Sequence, residues 1–164
     1  MTPLPYHAIK VYGSSDSLPA EAEELFEQQL AYSREPLPEG RAGRETWRFA
    51  LICAVSPDGH VLGGVYLDIG AIGGAGPLAM ERLAYLERAL VRPEYRRRGL
   101  ATTLMRKAIE VASEAGCLYI RCSNNWSNPA ETALLRECGF ALVDLDGEQD
   151  KEPCYLAVRP LQKL

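Results

Sequence analysis

The segment from residue 81 to residue 116 constrains the fold of this chain more than any other. Its first part, ERLAYLERALV (81–91), is an apolar, strand-like run that ends at a proline-containing turn. After Gly99, apolar residues recur every four positions, which predicts a long amphipathic helix ending near Gly116. The alternation of the strand is imperfect, because four apolar residues nearly run together, and we therefore expect burial on both faces. These four are Leu86, Ala89, Leu90 and Val91.

The turn between this strand and this helix, EYRRRGLA (94–101), has the chemistry of an anion-binding site. A helix N-terminus presents backbone N–H groups without intrahelical partners and carries a partial positive charge. Gly99 removes a side chain where a ligand could approach the backbone, and Thr102 and Thr103 could add hydroxyl donors. These features suit a phosphate or pyrophosphate. The residues alone also allow the plainer interpretation, in which Gly99 only shapes a turn and the arginines are solvated.

The rest of the chain predicts the element order β-α-β-β-β-α-β-α-β-β in a single domain, residues 1–164. Strand-like runs occupy 7–13, both sides of a turn at 56–59, 117–123, 140–146 and 153–161, and helical patterns occupy 15–35 and 128–140. The glycine-rich segment 70–80 is interpreted as a hairpin loop rather than a phosphate cradle, because no Gly-Lys-Ser/Thr follows it.

Composition excludes several classes of protein. The 164 residues are 47% hydrophobic and 24% charged, which is typical of a globular domain, and no apolar run approaches the roughly 20 residues of a membrane span. Five cysteines without a C-x-x-C motif and only two histidines argue against a zinc cluster and favour reduced thiols in a cytoplasmic protein. The net charge of −4 argues against general nucleic-acid affinity.

Two stretches together resemble the GNAT superfamily of N-acetyltransferases. LERALVRPEYRRRGLATTLM (86–105) is similar to the family's cofactor motif, Arg/Gln-x-x-Gly-x-Gly/Ala, here Arg96-x-x-Gly99-x-Ala101. NPAETALLRECGF (128–140) is similar to a later helix of the family that ends in Gly-Phe. The resemblance implies an α/β (α+β) fold, with a mixed, mostly antiparallel sheet of six to seven strands flanked by helices.

The resemblance also implies that the chain binds acetyl-coenzyme A as acyl donor. Backbone N–H groups from Arg97 to Thr102 would hold the pyrophosphate, and the peptide groups of Leu90 and Val91 would pair with the pantetheine arm. A Val91 N–H could polarise the thioester carbonyl. Asn128 either contacts the cofactor or is a plain helix N-cap. The implied cofactor-binding set is Leu90, Val91, Arg96, Arg97, Arg98, Gly99, Leu100, Ala101, Thr102 and Asn128.

The implied reaction, acetyl transfer to an amine, needs a base, because amines are protonated at neutral pH. Glu87 is the first candidate; by strict alternation it shares a strand face with Tyr85 and Val91. Glu81 lies further along that face and could act through water. The catalytic candidates are thus Glu87, Tyr85 and Glu81. The alternative for either carboxylate is a structural ion pair with Arg88 or Arg82.

The proton donor to the leaving thiolate is where the chain departs from the family. Many members carry a tyrosine in the later helix, and Leu135 occupies that position here. Tyr119, Tyr155, Ser123 or water could substitute, and the sequence does not choose among them. Cys122 and Cys138 are interpreted as buried apolar residues rather than acyl carriers, so direct attack by the amine is expected.

The acceptor is expected to be a small-molecule or peptide amine. Its site should form from the first helix, the loops 34–46 and 70–80 and the end of strand 117–123, with Trp126 as a possible wall. Acidic residues in or near these segments favour a cationic amine; they are Glu35, Glu39, Asp68 and Glu81. We expect neither nucleic-acid nor membrane partners, and a homodimer is possible. The competing hypotheses are a catalytically weak or inactive acyl-coenzyme A-binding module and a nucleic-acid binder using Arg92 and Arg96–Arg98.

Overall fold

The computed structural model describes residues 3–34, 47–125, 128–145 and 154–161. Seven strands form one sheet, and four helices pack against it. The strands are β1 (Ala8–Gly13), β2 (Arg48–Val55), β3 (Val61–Ala71), β4 (Arg82–Val91), β5 (Cys117–Asn125), β6 (Ala141–Leu145) and β7 (Cys154–Pro160). The helices are α1 (Ala20–Leu25), α2 (Glu27–Arg34), α3 (Leu100–Glu114) and α4 (Pro129–Glu137). The predicted element order is confirmed, except that the first predicted helix is divided at Phe26.

The strands lie in the order β1-β2-β3-β4-β5-β7-β6. Every neighbouring pair is antiparallel except β4 and β5, which run parallel. A parallel pair needs a crossover connection, and α3 provides it. The predicted fold class, a mixed and mostly antiparallel sheet of six to seven strands flanked by helices, is confirmed.

The two faces of the sheet carry separate cores. On one face, α3 buries an apolar stripe against the central strands: Leu100, Leu104, Met105, Ala108 and Ala112. On the other face, α1 and α2 bury Ala22, Phe26 and Leu30 against Tyr66 and its neighbours. The sheet is therefore covered on both sides around β2 and β3, and the second face becomes open toward β4 and β5.

A β-bulge in β4 changes which of its residues share a face. Tyr66 of β3 pairs with Arg88 and the next residue, Leu67, pairs with Leu86, so Glu87 is the extra residue that forms the bulge. Beyond the bulge the alternation is shifted by one residue, and Val91 lies in the α3 core together with Leu86. The prediction that Glu87 shares a face with Val91 is therefore wrong.

The same bulge explains the imperfect alternation of the sequence. Ala89 is exposed and Leu90 is half-buried, so this end of β4 is not buried on both faces, contrary to the prediction. Glu87 stays on the face of Tyr85, because one regular step of alternation separates each of them from Leu86.

Candidate active site

The sheet opens between β4 and β5. Their parallel ladder runs only as far as Tyr85, which pairs with Arg121. Past this pair, within the described residues, no strand pairs with the β5-facing edge of β4. The backbone N–H of Arg92 donates to Leu62 O on β3 at 3.0 Å, and because peptide groups alternate along a strand, the Val91 N–H points toward the opening.

The Val91 carbonyl, which shares that direction, is held from the side of the turn. Arg96 Nε donates to Val91 O at 2.8 Å. The first arginine of the motif therefore fastens the turn onto the end of β4, and of the two Val91 peptide groups it leaves the N–H for a ligand. The side chain of Arg96 has a structural partner rather than lying loose in solvent.

The turn after β4 is shaped to present backbone N–H groups. Arg97 has φ 63° and Gly99 has φ 77°, two left-handed residues within one short turn. A concave array of amides formed in this way binds anions. Among the described residues, no acceptor lies within hydrogen-bond distance of the N–H groups of residues 97–102, and no side chain caps the N-terminus of α3 at Gly99.

The surroundings of the turn fit a diphosphate. A Cβ added at Gly99 would meet no atom within 4 Å, so the space in front of the amides is open. Arg98 Nε is buried, and no partner for it lies in the described part of the chain. A buried guanidinium nitrogen without an acceptor is costly, and an anion seated on the turn would supply one. The residues therefore fit the pyrophosphate that the family resemblance implies.

A half-buried charge cluster lies at the end of β4, just before this turn. Glu21 of α1 accepts from the Val61 N–H at 2.9 Å and from Arg92 at 3.0 Å, and it lies 2.7 Å from His60 Nδ1. Arg92 Nε also donates to Val61 O at 2.7 Å. Arg92 is thus committed to an internal role, which leaves less positive charge for the nucleic-acid binding considered from the sequence.

The hydrogen bond from the Val61 N–H, together with His60 and Arg92, lowers the pKa of Glu21. A lowered pKa in the folded state means that this stabilisation is present at neutral pH. It is lost as the pH falls below the ordinary glutamate pKa of about 4.3.

We predict that Glu21→Gln lowers the unfolding temperature by about 2–4 °C at pH 7. The difference between variant and wild type should shrink as the pH falls below about 4.3, because the wild-type carboxylate is then protonated too. Thermal unfolding over a pH series measures this. Glu23→Gln is the matched control, since its partner Arg34 lies 3.4 Å away on the surface. An equal loss in both variants would contradict the assignment.

A pocket of about 420 Å³ lies on the face of the sheet opposite α3. Three aromatic side chains, one carboxylate and one guanidinium line it: Tyr32, Trp47, Tyr85, Glu87 and Arg121. Trp47 packs against bare backbone, because a Cβ at Gly70 would come within 2.3 Å of its ring. The volume is in the range of small-molecule sites. An aromatic wall beside a carboxylate suits an amine, which the rings can hold by cation–π attraction.

Two of the three predicted catalytic residues meet in this pocket. Tyr85 and Glu87 line it together, and Tyr85 OH lies 3.0 Å from Ser123 Oγ on β5. Among the described residues, neither Arg82 nor Arg88 lies within ion-pair distance of Glu87. Glu81 precedes β4 and is not among the lining residues.

The predicted acidic surroundings of the acceptor are only partly present. Asp68 is buried and accepts from Ser33 Oγ at 3.1 Å, so it supports α2 from below instead of facing a ligand. The loop 70–80 contributes no lining residue. Glu35, Glu39, Trp126 and nearly all of the loop 34–46 lie outside the described residues.

The later helix begins as the sequence predicts. Asn128 Oδ1 accepts from the Glu131 N–H at 3.3 Å, which confirms its role as N-cap; a contact with the cofactor stays a prediction. Leu135 is 1% exposed within the main core. Of the substitutes for the missing tyrosine, Tyr155 donates to Glu131 at 2.7 Å, and burial raises its pKa, which makes it a poor acid. Ser123, bonded to Tyr85 beside the opening, is the better placed hydroxyl.

The cysteines do not have the properties of acyl carriers. Burial raises the pKa of Cys122 to about 12 and also raises the pKa of Cys138, so both thiols are protonated at neutral pH. We predict that Cys122→Ala keeps kcat/KM within about threefold of wild type. Intact-mass measurement of the wild type mixed with acetyl-coenzyme A alone should show no acetylated protein. A stable acetyl adduct on Cys122 would contradict direct transfer.

Three residues of the pocket were not predicted: Tyr32, Trp47 and Arg121. They come from α2, from the position just before β2 and from β5, which lie far apart in the sequence. The only local signal in the sequence is Arg121 itself, a charged residue that interrupts the apolar strand run CLYIRCS.

The sequence profile of the acetyltransferase (GNAT) family matches residues 20–140. The chain therefore belongs to the GNAT family of acetyltransferases. A search of curated proteins by sequence found no significant match.

Solved structures agree with this fold. The ribosomal-protein-S18-alanine N-acetyltransferase of Escherichia coli superimposes with a TM-score of 0.64 at 15% identity, over 97% of this chain and 96% of that one. NAA60 of Arabidopsis thaliana, solved in complex with acetyl-CoA, gives a TM-score of 0.61 at 17% identity, over 93% of this chain and 99% of that one. At these identities the likeness concerns the fold.

Neither a cluster of metal ligands nor a membrane-spanning helix occurs in the described ranges. No group of three or more His, Cys, Asp or Glu side chains there could hold a metal ion. Within those ranges, no helix has the length and apolar character needed to cross a membrane.

Proposed function

We propose that this protein transfers an acetyl group from acetyl-coenzyme A to a primary amine by direct attack. The observation that carries the proposal is the continuity of two sets of backbone donors. The unpaired edge of β4, with the Val91 N–H directed into the opening, leads directly to the N–H array of residues 97–102. An extended arm ending in a diphosphate matches this layout along its whole length.

The turn supplies most of the recognition of the donor. Backbone N–H groups of residues 97–102 would bind the pyrophosphate, and Arg97 and Arg98 would flank it. The exposed β4 edge at Leu90 and Val91 would hold the pantetheine arm as an added strand. Arg96 orders the turn through its bond to Val91 O, so it acts as a positioning residue.

Chemistry would take place where the opening meets the pocket. When bound, acetyl-coenzyme A supplies a thioester whose C–S bond breaks as the amide C–N bond forms. Glu87 takes one proton from the acceptor ammonium and passes it to solvent, which frees the nitrogen lone pair. The Val91 N–H donates to the thioester oxygen as negative charge develops there. The second proton of the nitrogen ends on the thiol sulfur, with Ser123 and Tyr85 as the nearby hydroxyls.

The pocket geometry favours Glu87 over Glu81 as the base. Glu87 sits in the bulge, which turns its side chain into the pocket beside Tyr85. The bulge is thus the local device that brings a carboxylate to the acceptor side while Val91 stays in the α3 core. A small-molecule or peptide amine fits the opening, and the free cysteines fit the reducing cytoplasm expected from the sequence.

One observation favours a second candidate, an acyl-coenzyme A-binding module with weak or no catalysis. Leu135, buried in the core, stands where many family members have their proton-donating tyrosine. Such a module would keep the turn and the β4 edge but would lack an efficient acid.

A turnover assay separates the two candidates. Thiol release from acetyl-coenzyme A is followed over a panel of amines, and a thermal shift with acetyl-coenzyme A serves as the binding control. Amine-dependent thiol release supports the acetyltransferase. A thermal shift without release for any amine supports the module, and the absence of both overturns the shared proposal.

A further inference from the structure

Arg121 is a charged lining residue of the pocket to which the proposed reaction gives no role. It lies on β5, pairs in register with Tyr85, and its guanidinium carbon lies 5.3 Å from the centre of the Tyr85 ring. In the described part of the chain, no carboxylate forms an ion pair with it. Its Nε is buried and, among the described residues, has no hydrogen-bond partner.

A cation in this state is not explained by the contacts that the described residues make. A buried guanidinium N–H without an acceptor costs stability, and native structures keep few such groups. The ring of Tyr85 stabilises the positive charge but accepts no conventional hydrogen bond from Nε. We therefore expect a ligand in the same pocket to supply the hydrogen-bond acceptor for Arg121 Nε.

The other walls limit what that ligand is. Glu87 is placed to receive the ammonium end of an acceptor, and Tyr32, Trp47 and Tyr85 offer an aromatic surface. A guanidinium prefers a carboxylate, because its planar N–H groups match the two carboxylate oxygens. One small pocket thus contains a site for each charge of a zwitterion and an apolar surface for its body.

Building on the proposed function, we propose that the acceptor is a free amino acid with a large apolar or aromatic side chain. Its carboxylate pairs with Arg121, its amine lies toward Glu87, and its side chain packs on the three aromatic rings. Arg121 is then a specificity residue that contacts the substrate away from the reacting nitrogen. A peptide lacks a carboxylate next to its terminal amine and would not satisfy Arg121 in this way.

The test compares acceptors that differ only in the carboxylate. L-phenylalanine, L-tyrosine and L-tryptophan are assayed against 2-phenylethylamine, tyramine and tryptamine, with acetyl-coenzyme A at saturation. We expect kcat/KM to be at least about tenfold higher for each amino acid than for its amine. Arg121→Gln should remove that preference, chiefly by raising KM for the amino acid. The kcat/KM for the corresponding amine should stay within about threefold of wild type.

The matched control is Arg106→Gln, the same change at an arginine on α3 whose side chain is 70% exposed. This variant should leave kcat/KM unchanged for both the amino acids and the amines. Equal or faster turnover of the amines, or an Arg121→Gln variant that keeps the preference, would overturn the amino-acid assignment while the acetyltransferase stands. If no acceptor is turned over, binding of L-phenylalanine and 2-phenylethylamine is measured by calorimetry with coenzyme A present. If the two ligands bind equally well, the amino-acid assignment is overturned. If acetyl-coenzyme A produces no thermal shift, the proposed acetyltransferase function is overturned instead.

Discussion

Replacement of Gly99 by glutamate should weaken acetyl-coenzyme A binding by at least about 100-fold. The substitution puts a carboxylate at the mouth of α3, directly in front of the amides of residues 97–102. Like charges placed together in a binding site cost several kcal/mol, and each 1.4 kcal/mol is about tenfold in affinity. The same carboxylate would also act as a helix cap and occupy N–H groups that a diphosphate needs. Isothermal titration with acetyl-coenzyme A measures the loss.

The substitution also strains the backbone, and the chain offers a control for that effect. Gly99 has φ 77°, where residues with a side chain are disfavoured by about 1–2 kcal/mol. Gly59, in the turn between β2 and β3, has φ 87° and is equally open, with no atom within 4 Å of an added Cβ. Gly59→Glu should lower stability to a similar extent and leave the affinity unchanged. Comparable loss of affinity in both variants would show that strain, not the site, is responsible.

Glu87→Gln should lower kcat/KM by about 100- to 10,000-fold, the usual range for loss of a general base. Glutamine has nearly the same shape and can hydrogen-bond, but it cannot take a proton from the acceptor ammonium. The deficit should narrow as the pH rises toward the amine pKa of about 10, because more of the acceptor then arrives deprotonated. The measurement is a pH–rate profile of thiol release for wild type and variant.

The control for Glu87 is Glu81, the other carboxylate considered as a base. Glu81→Gln should change kcat/KM by less than about threefold, because that residue lies before β4 and outside the pocket. Acetyl-coenzyme A affinity should be the same in both variants, since neither residue belongs to the turn. A larger loss of kcat/KM at position 81 than at position 87 would instead identify Glu81 as the base, acting through water.

The turn at Gly99 was predictable because its information is local. A strand, a proline, a glycine and an amphipathic period occur in one continuous segment, and each has its own physical preference. The bulge at Glu87 was not predictable, because a bulge is a relation between two strands and depends on how β4 meets Tyr66 and Leu67. Strict alternation therefore placed Val91 on the wrong face.

The acceptor pocket was harder to predict than the donor site for a similar reason. Trp47 and Tyr32 reach it from different elements, and only the folded sheet brings them beside Arg121. Asp68 shows the converse, since an acidic residue near the right segment turned out to be buried beneath Ser33. When a pocket is formed by separate segments, no single segment carries a sequence pattern that predicts it.

The shortest ladder of the sheet, between β4 and β5, has a mechanical consequence. Beyond the pair of Tyr85 and Arg121, the two blocks of strands can be pushed apart without breaking any backbone hydrogen bond that the described residues make. Elsewhere in the sheet, separating two neighbouring strands means breaking a longer ladder. Admission of a long, extended donor is therefore easiest at this seam, and a bound donor would bridge the two blocks where the strand ladder is shortest.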